Sequence, residues 1–414
     1  MTSRDTSTRF GRRNFLKTVG ALGGATALGV GGRALVDARD EFVEVNVGYA
    51  EESGLDAALS AADDVVREFD FDALTLRLPA DVVGWLASRS DVRYVEGNGQ
   101  LRLLDDESGE DRPAEQTLPG GVERVGAGRL HESGVTGRGA SVAIVDTGIA
   151  SGHPDLESNL GGGKAFAERE EEVVVDEDED GTSITIRDGE DATGPAWQDT
   201  HGHGTHCAGI AAAADNGRGV VGVAPEATLS AVKIGTADGI DAADVAAGIE
   251  FVADEGMDVA NLSIGEETPS QVIADACTYA HERGVLLVAA AGNADEGDDN
   301  SGIRYPAVFE EVVAVAATTG TGDMAEFSLT GPEVEVVAPG EDVYSTAPNE
   351  AYGESSGTSM ASPHVTGAAA LLLGEGYSNE EARRRLRESA RDLGLDESEQ
   401  GNGLVDVAAA LDLD

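Results

Sequence analysis

The strongest constraint on the fold is a series of short apolar runs, each bounded by Gly, Asp or Asn. Ser141-Val142-Ala143-Ile144-Val145, Val259 to Ile264, Val285-Leu286-Leu287-Val288-Ala289 and Val312-Val313-Ala314-Val315 are apolar at nearly every position. Strands that lack a polar face must be covered on both sides. The stretches 204–214, 241–254, 270–283 and 359–373 read as helices and supply the covers. The fold class that follows is α/β: a mostly parallel sheet with helices on both faces, across residues 116–414. In such sheets functional residues gather at the carboxyl ends of the strands.

Residues 41–104 read as a smaller α+β unit. Phe42 to Val47 alternates apolar and polar, as a strand does. Residues 54–68 place Leu55, Ala58, Leu59, Ala62, Val65 and Val66 on one helical face. Leu74 to Leu78 alternates again, 80–88 suits a second helix, and Val92 to Glu96 a further strand. Residues 105–115 are polar and acidic and read as an exposed linker. The segment 168–191 holds twelve Asp or Glu against two Arg. Asp176 to Gly181 opens like a calcium loop, but Arg187 stands where that loop needs a bidentate Glu. A surface hairpin, Val173 to Val175 against Ile184 to Ile186, is the expected structure there.

Charge narrows the partners. The 414 residues carry 78 acidic and 28 basic side chains, a formal net charge of −50. That argues against nucleic acid and against anionic membranes held through basic patches. The acids are spread along the chain, and Lys17, Lys164 and Lys233 are its lysines. Such a surface repels itself unless salt screens it, so adaptation to molar salt is expected. Two cysteines, Cys207 and Cys277, exclude a disulfide framework and a Cys-based zinc site, and both are expected to be buried free thiols. The first 34 residues reverse the charge. Arg12-Arg13 precede an apolar Gly/Ala-rich stretch, Thr18 to Val30, too short to span a bilayer. Residues 1–38 therefore resemble a twin-arginine signal, which hands a folded protein to that export machinery. A secreted, extracellular protein without a membrane anchor is expected.

Three segments carry chemistry. Val145-Asp146-Thr147-Gly148 puts an Asp at the end of a buried strand. His201-Gly202-His203-Gly204-Thr205-His206 is rich in histidine without a metalloprotease HExxH pattern. Gly357-Thr358-Ser359-Met360-Ala361 places a Ser at a helix start. Acyl transfer needs a nucleophilic hydroxyl, a base beside it, and an acid that orients the base. Asp, His and Ser occur here in the chain order of one of the known triad architectures, and the G-x-S-x-G elbow of α/β-hydrolases is absent. Ala289-Ala290-Ala291-Gly292-Asn293 adds an Asn after a buried strand, where a side-chain amide could donate to an oxyanion.

At these residues the chain resembles the subtilisin-like serine proteases, and within them the halolysin-type enzymes of halophilic archaea. The resemblance covers about residues 116–411. It implies that Asp146 orients the base, His203 is the base, Ser359 is the nucleophile, and Asn293 with the Ser359 N–H forms the oxyanion hole. His203 is preferred over His201 and His206 because it begins the Gly-Thr-His segment that follows the family's catalytic His. Ser263, Ile264 and Gly265 resemble one edge of the substrate cleft, and Asp238, Gly239 and Ile240 the other. Protein and peptide substrates would add a strand between them. Ala291, Gly292 and Arg304 resemble the specificity pocket, with Arg304 placed to meet an acidic substrate side chain. Structural calcium is implied on Gln116, Asp155 and Asn216 and the carbonyls of Ala214, Arg218 and Val220. Residues 41–104 resemble the family's ferredoxin-like inhibitory propeptide, an intramolecular partner cut away within 105–115. A monomer is expected after that cut.

Overall fold

The computed structural model describes residues 42–103, 106–111, 115–167, 171–178, 181–188, 194–236, 239–294 and 302–413. The export segment 1–38 and Asp238 lie outside the described residues.

The body is built on seven parallel strands. Their order across the sheet is Val336–Pro339, Val312–Thr318, Leu286–Ala290, Val259–Leu262, Ser141–Asp146, Thr228–Lys233 and Leu160–Ala165. Neighbouring strands pair in parallel throughout. Each central strand is buried along its length, as its unbroken apolar run requires. Two apolar clusters fill the two faces. One packs the helices His203–Ala212 and Thr358–Gly374 through Cys207, Met360, Val365 and Leu371. The other packs Ala242–Asp254 and Gln271–Glu282 through Val245, Ile249, Ile273 and Cys277. Neither cysteine is in a disulfide, and both are buried. Among the described residues no helix is long and apolar enough to cross a membrane.

The first unit is a four-stranded antiparallel sheet ordered Asp64–Phe69, Ala73–Pro79, Phe42–Tyr49 and Val92–Gly97. With the helices Glu52–Ala61 and Val83–Ala87 it has the βαββαβ ferredoxin-like arrangement. Val47, Leu74, Leu76, Leu78 and Leu86 are fully buried within it. The single helix expected over 54–68 is instead a helix and a strand. Ala62 turns extended and ends the helix, and Val65 and Val66, 42% and 47% exposed, belong to an edge strand. Their β-branched side chains favour that pleated backbone, and they matched helical spacing by coincidence. The expected linker also changes. Asp106–Asp111 is a strand that pairs with Ala351–Ser356, a pairing made by backbone groups that composition does not encode. The hairpin in the acidic insertion forms as expected, Val175 opposite Ile184 and Val173 opposite Ile186.

Two helix N-termini join the first unit to the body. Neither Ala242–Asp254 nor Gln271–Glu282 is capped by its own preceding side chain. The end of the strand Val92–Gly97 and the loop after it supply the caps. Glu96 accepts from Ser270 Oγ, Gln271 N and Val272 N, each at 3.0 Å. Asn98 Oδ1 accepts from Ala243 N at 2.9 Å, and the Gly99 carbonyl from Ala242 N at 2.8 Å. Backbone N–H groups at a helix start have no partner inside the helix, and the helix dipole favours a carboxylate beside them. Arg93 and Tyr94 add bonds to Asp275, and Arg67 one to Asp244. Glu96→Ala should therefore cost about 1–2 kcal/mol at this joint. The expected readout is a roughly 5–30-fold faster hydrogen exchange of the Gln271 and Val272 amides in the intact chain. Unchanged exchange would show that Glu96 does not hold the helix start.

Candidate active site

Asp146 ends a strand of the central sheet and is fully buried. Its Oδ1 accepts from the next residue's backbone, Thr147 N, at 2.7 Å, and from His203 Nδ1 at 2.7 Å. These two donors meet the buried carboxylate, and the bond to His203 holds the imidazole in the tautomer that carries its proton on Nδ1. His203 is the first residue of the helix His203–Ala212. The helix can come this close because its second residue is glycine: a Cβ on Gly204 would lie 2.2 Å from the Gly148 carbonyl and 3.1 Å from Asp146.

The loop into this helix is set by Asp199, whose part the sequence did not reveal. Its Oδ1 accepts from His201 N and Gly202 N at 3.0 and 2.9 Å, and its Oδ2 from Thr205 N at 2.9 Å. An Asp a few residues ahead of a helix start is the available signal. His206 is a buried residue on the same helix, with Nε2 against the Gly353 carbonyl at 3.2 Å. Burial pushes its pKa down to about 4, so it stays neutral and tied to structure.

Ser359 lies at the start of the helix Thr358–Gly374, which packs against the helix that bears His203. Cys207, one turn after His203, donates its thiol to the Ser359 carbonyl at 3.5 Å. Ser359 Oγ donates to the Ser263 carbonyl at 3.1 Å, and Ser263 Oγ returns a bond to the Ser359 carbonyl at 2.8 Å. Beneath them Asn261 accepts from Ser362 and Thr366 and donates to Ser263, a buried network that pins the strand to the helix. Asn293 Oδ1 accepts from Thr358 N and Oγ1 at 3.0 and 2.9 Å, which turns the donor end of the amide away from Thr358. A hydroxyl, an imidazole, a carboxylate and an oriented amide are thus gathered around one helix start. Asp146, His203 and Cys207 also present ligand atoms within 4.8 Å of one another. Two of those atoms are already joined by the Nδ1–Oδ1 hydrogen bond, so the arrangement suits proton transfer better than metal binding.

The expected cleft edges both carry a strand. Ile240 and Asp241 pair with Leu101 and Gln100, and Ile264 and Gly265 pair with Leu103 and Arg102. The segment Gln100–Leu103 thus lies between the two edges as an added strand. Behind it, Gly292 has φ +115°, and a Cβ there would meet Arg304 Cγ at 2.3 Å. Arg304 N donates to the Ala291 carbonyl at 2.8 Å. The Arg304 side chain is 3% exposed and reaches Glu267 Oε1 at 2.8 Å. Its charge is therefore already met by a carboxylate of the protein, which sets back the expected pairing with an acidic substrate.

The residues expected to hold calcium also converge. Asp155 is fully buried, and its carboxylate accepts from Val220 N at 2.9 Å and Asn216 Nδ2 at 3.1 Å. Gln116 Oε1 accepts from Gly217 N at 3.2 Å, and its Nε2 approaches the Ala214 carbonyl at 3.5 Å. A Cβ on Gly219 would lie 1.9 Å from Asp155 Oδ2, so the loop can pass only as glycine. Arg218 N donates to Asn216 Oδ1 at 3.1 Å. The donor set offers carboxylate, amide and carbonyl oxygens and no soft ligand, which fits a hard cation.

Comparison with known proteins decides the family. The Subtilase family matches residues 137–403. The chain belongs to the subtilase family. This subtilase is 37% identical to an alkaline protease of Alkalihalobacillus alcalophilus over 378 residues, 90% of this chain and 88% of the relative. It is 42% identical to subtilisin BL of Lederbergia lenta over 298 residues, 71% of this chain and 99% of the relative. It is 38% identical to the major intracellular serine protease of Bacillus subtilis over 295 residues, 70% and 86% of the two chains. It is a serine-type endopeptidase with the subtilase fold.

The buried histidines give the subtilase an acid limit. His364, with Nδ1 on the Met360 carbonyl at 2.8 Å, is also pushed down to about 4 by burial. An unfolded histidine titrates near 6.5. Between those values the unfolded chain binds more protons than the folded one. Stability is therefore full above about pH 6.5 and falls as the pH drops toward 4, by about 1 kcal/mol per pH unit for each such histidine. Unfolding temperatures taken from pH 7 to pH 4 should show this slope, and His364→Gln should flatten it. Equal slopes in both proteins would remove His364 from the account.

Proposed function

We propose that this subtilase is a secreted, salt-adapted protease, made as a zymogen, that cuts proteins and peptides with Asp146, His203 and Ser359. The observation that carries the reading is the 2.7 Å bond from His203 Nδ1 to the buried Asp146, on a helix packed against the one that bears Ser359. A substrate joins the cleft edges as Gln100–Leu103 does now. Ser359 Oγ attacks the scissile carbonyl carbon while His203 Nε2 takes its proton. Asp146 holds the imidazole and stabilises the imidazolium that forms. Asn293 Nδ2 and the Ser359 N–H donate to the oxyanion, which exists only after attack, so they favour the transition state over the bound substrate. His203 then gives the proton to the leaving amine. Water hydrolyses the ester by the same route. Ala291, Gly292 and Arg304, with Glu267, form the floor that sorts side chains.

Residues 42–103 act as inhibitor and folding partner, which the docked strand and the two borrowed helix caps support. Gln116, Asp155 and Asn216, with the carbonyls of Ala214, Arg218 and Val220, would hold calcium, whose chemistry here is to crosslink the start of the body to its loops. The Arg12-Arg13 segment supports export of the folded precursor through the twin-arginine route. The net charge of −50 supports the high-salt habitat that the halolysin likeness suggests.

The direct test is a fluorophosphonate probe in molar salt. The wild type should take up label and hydrolyse a peptide substrate. Ser359→Ala should take up none, lose about 10⁶-fold in turnover, the loss found for such a change in a subtilisin, and stay near full precursor length. A wild type that never labels, processed or not, would sink the reading. Salt gives a second test. Dilution into low-salt buffer should inactivate the enzyme as repulsion among its carboxylates grows, and calcium should slow the loss. Activity indifferent to both would refute the salt and calcium assignments.

A further inference from the structure

The strand Ala351–Ser356 runs up to the Ser359 helix, and Ser356 lies three residues before Ser359. One edge of this strand pairs with Val343–Ala347. The other edge takes Asp106–Asp111, antiparallel, with Asp106 opposite Ser356 and Asp111 opposite Tyr352. Asp106–Asp111 follows in the chain the segment Gln100–Leu103, which lies between the two cleft edges. A chain laid in the cleft in this direction thus continues along Ala351–Ser356, on the side of the leaving amine. A peptide substrate would lay the residues after its cut bond on the same backbone edge.

This strand depends on outside anchors. Gly353 sits inside it and adds no side-chain packing, and the register to Asp106–Asp111 shifts between Gly353 and Ser355. At the end nearest the nucleophile, Ser356 Oγ accepts from Asp342 N at 3.0 Å, and Gly357 N donates to the Gly340 carbonyl at 2.8 Å. In the middle, His206 Nε2 donates to the Gly353 carbonyl at 3.2 Å. At the far end the buried Tyr352 phenol donates to Asp155 Oδ2 at 2.9 Å. His153 supports the same end, with Nε2 on the Ala351 carbonyl at 3.1 Å and its ring edge-on to Tyr352, centroids 5.1 Å apart. Backbone closes over the phenol: a Cβ on Gly219 would lie 1.9 Å from Asp155 Oδ2 and 2.2 Å from the Tyr352 hydroxyl. The phenol is thus the side-chain tie to a carboxylate at the end of the edge farthest from the cut.

We infer that Tyr352 is a positioning residue for the leaving-group half of a peptide substrate. Through its bond to Asp155 it sets the place of the strand edge on which the residues after the cut bond are laid. The inference rests on the reading of Ser359 as nucleophile. Tyr352 lies seven residues before Ser359, and the anchors at Ser356 and Gly357 stand between them. Loss of the phenol therefore loosens the far end of the edge and leaves the reacting groups in place. Substrates that extend several residues past the cut bond sense the change, and substrates that end at the cut bond do not.

Tyr352→Phe, which keeps the ring against His153, tests this in the full chain folded in molar salt. Three substrates share one acyl half: an anilide, a peptide ending one residue after the cut, and a peptide ending six residues after it. Rates are referred to sites titrated with a fluorophosphonate, so unfolded chains do not enter. In the wild type the long peptide should have the lower KM of the two peptides. In Tyr352→Phe that advantage should shrink by about five- to tenfold, through KM and not kcat, as expected for one lost bond to a carboxylate. Anilide hydrolysis should stay as it was. An undiminished advantage in the variant, a wild type with no advantage to lose, or an equal slowing of all three substrates overturns the inference. In each of those outcomes the hydrolysed anilide leaves the enzyme reading standing. A wild type that neither labels nor cuts the anilide overturns both.

Discussion

A carboxylate taken out of water must be met by donors, and Asp146 is met by its own neighbour's amide and by His203. Much of the site follows from that demand. The strand must end where the carboxylate can turn toward the helix, and the helix must begin with His203 and continue with a residue that lacks a side chain. Asp199 fixes the loop that delivers the histidine, at the cost of a second buried acid. The Ser359 helix is then held at the right depth from below, by Asn261 and Ser263 and by the Cys207 thiol. None of these bonds is strong alone. Removing one partner strands a buried polar group, which costs more than the bond itself contributes.

The same accounting of unpaired backbone groups explains how the small unit rides on the large one. Two helices of the body begin with amides that their own sequence does not cap, and the loop Glu96 to Gly99 caps both. The contact joins charge-assisted bonds from Arg93, Tyr94 and Arg67 to an apolar patch, where Phe69, Ala73 and Leu101 are buried in the body's second cluster and Phe71 packs on Tyr279. The polar bonds fix its geometry.

The central sheet and the segments of the candidate site were legible in the sequence because their signals are local. An unbroken apolar run is a buried strand, and Asp146, His203, Ser359 and Asn293 each sit in a short segment of distinctive composition. What escaped depends on contacts between distant residues. Val65 and Val66 fit a helical face and formed an edge strand because Ala73–Pro79 offered it a partner. Asp106–Asp111 has the composition of a linker, yet it completes a sheet through its backbone. Asp199 belongs to no motif, and its part shows only in the four hydrogen-bond donors that the fold brings to it. Arg304 looked like a free cation for substrate, and Glu267, thirty-seven residues earlier, had already met it.

That last pair separates two properties that usually change together. The guanidinium is locked inside, 3% exposed, while the carboxylate that balances it is 58% exposed at the rim. On the proposed function, in which Arg304 forms the floor of the side-chain pocket, the polarity of that floor is set from the surface. Substitutions at a rim position disturb packing little. A lineage carrying this pair can retune which side chains it accepts through drift at one exposed acid, leaving the interior and the reacting groups as they are.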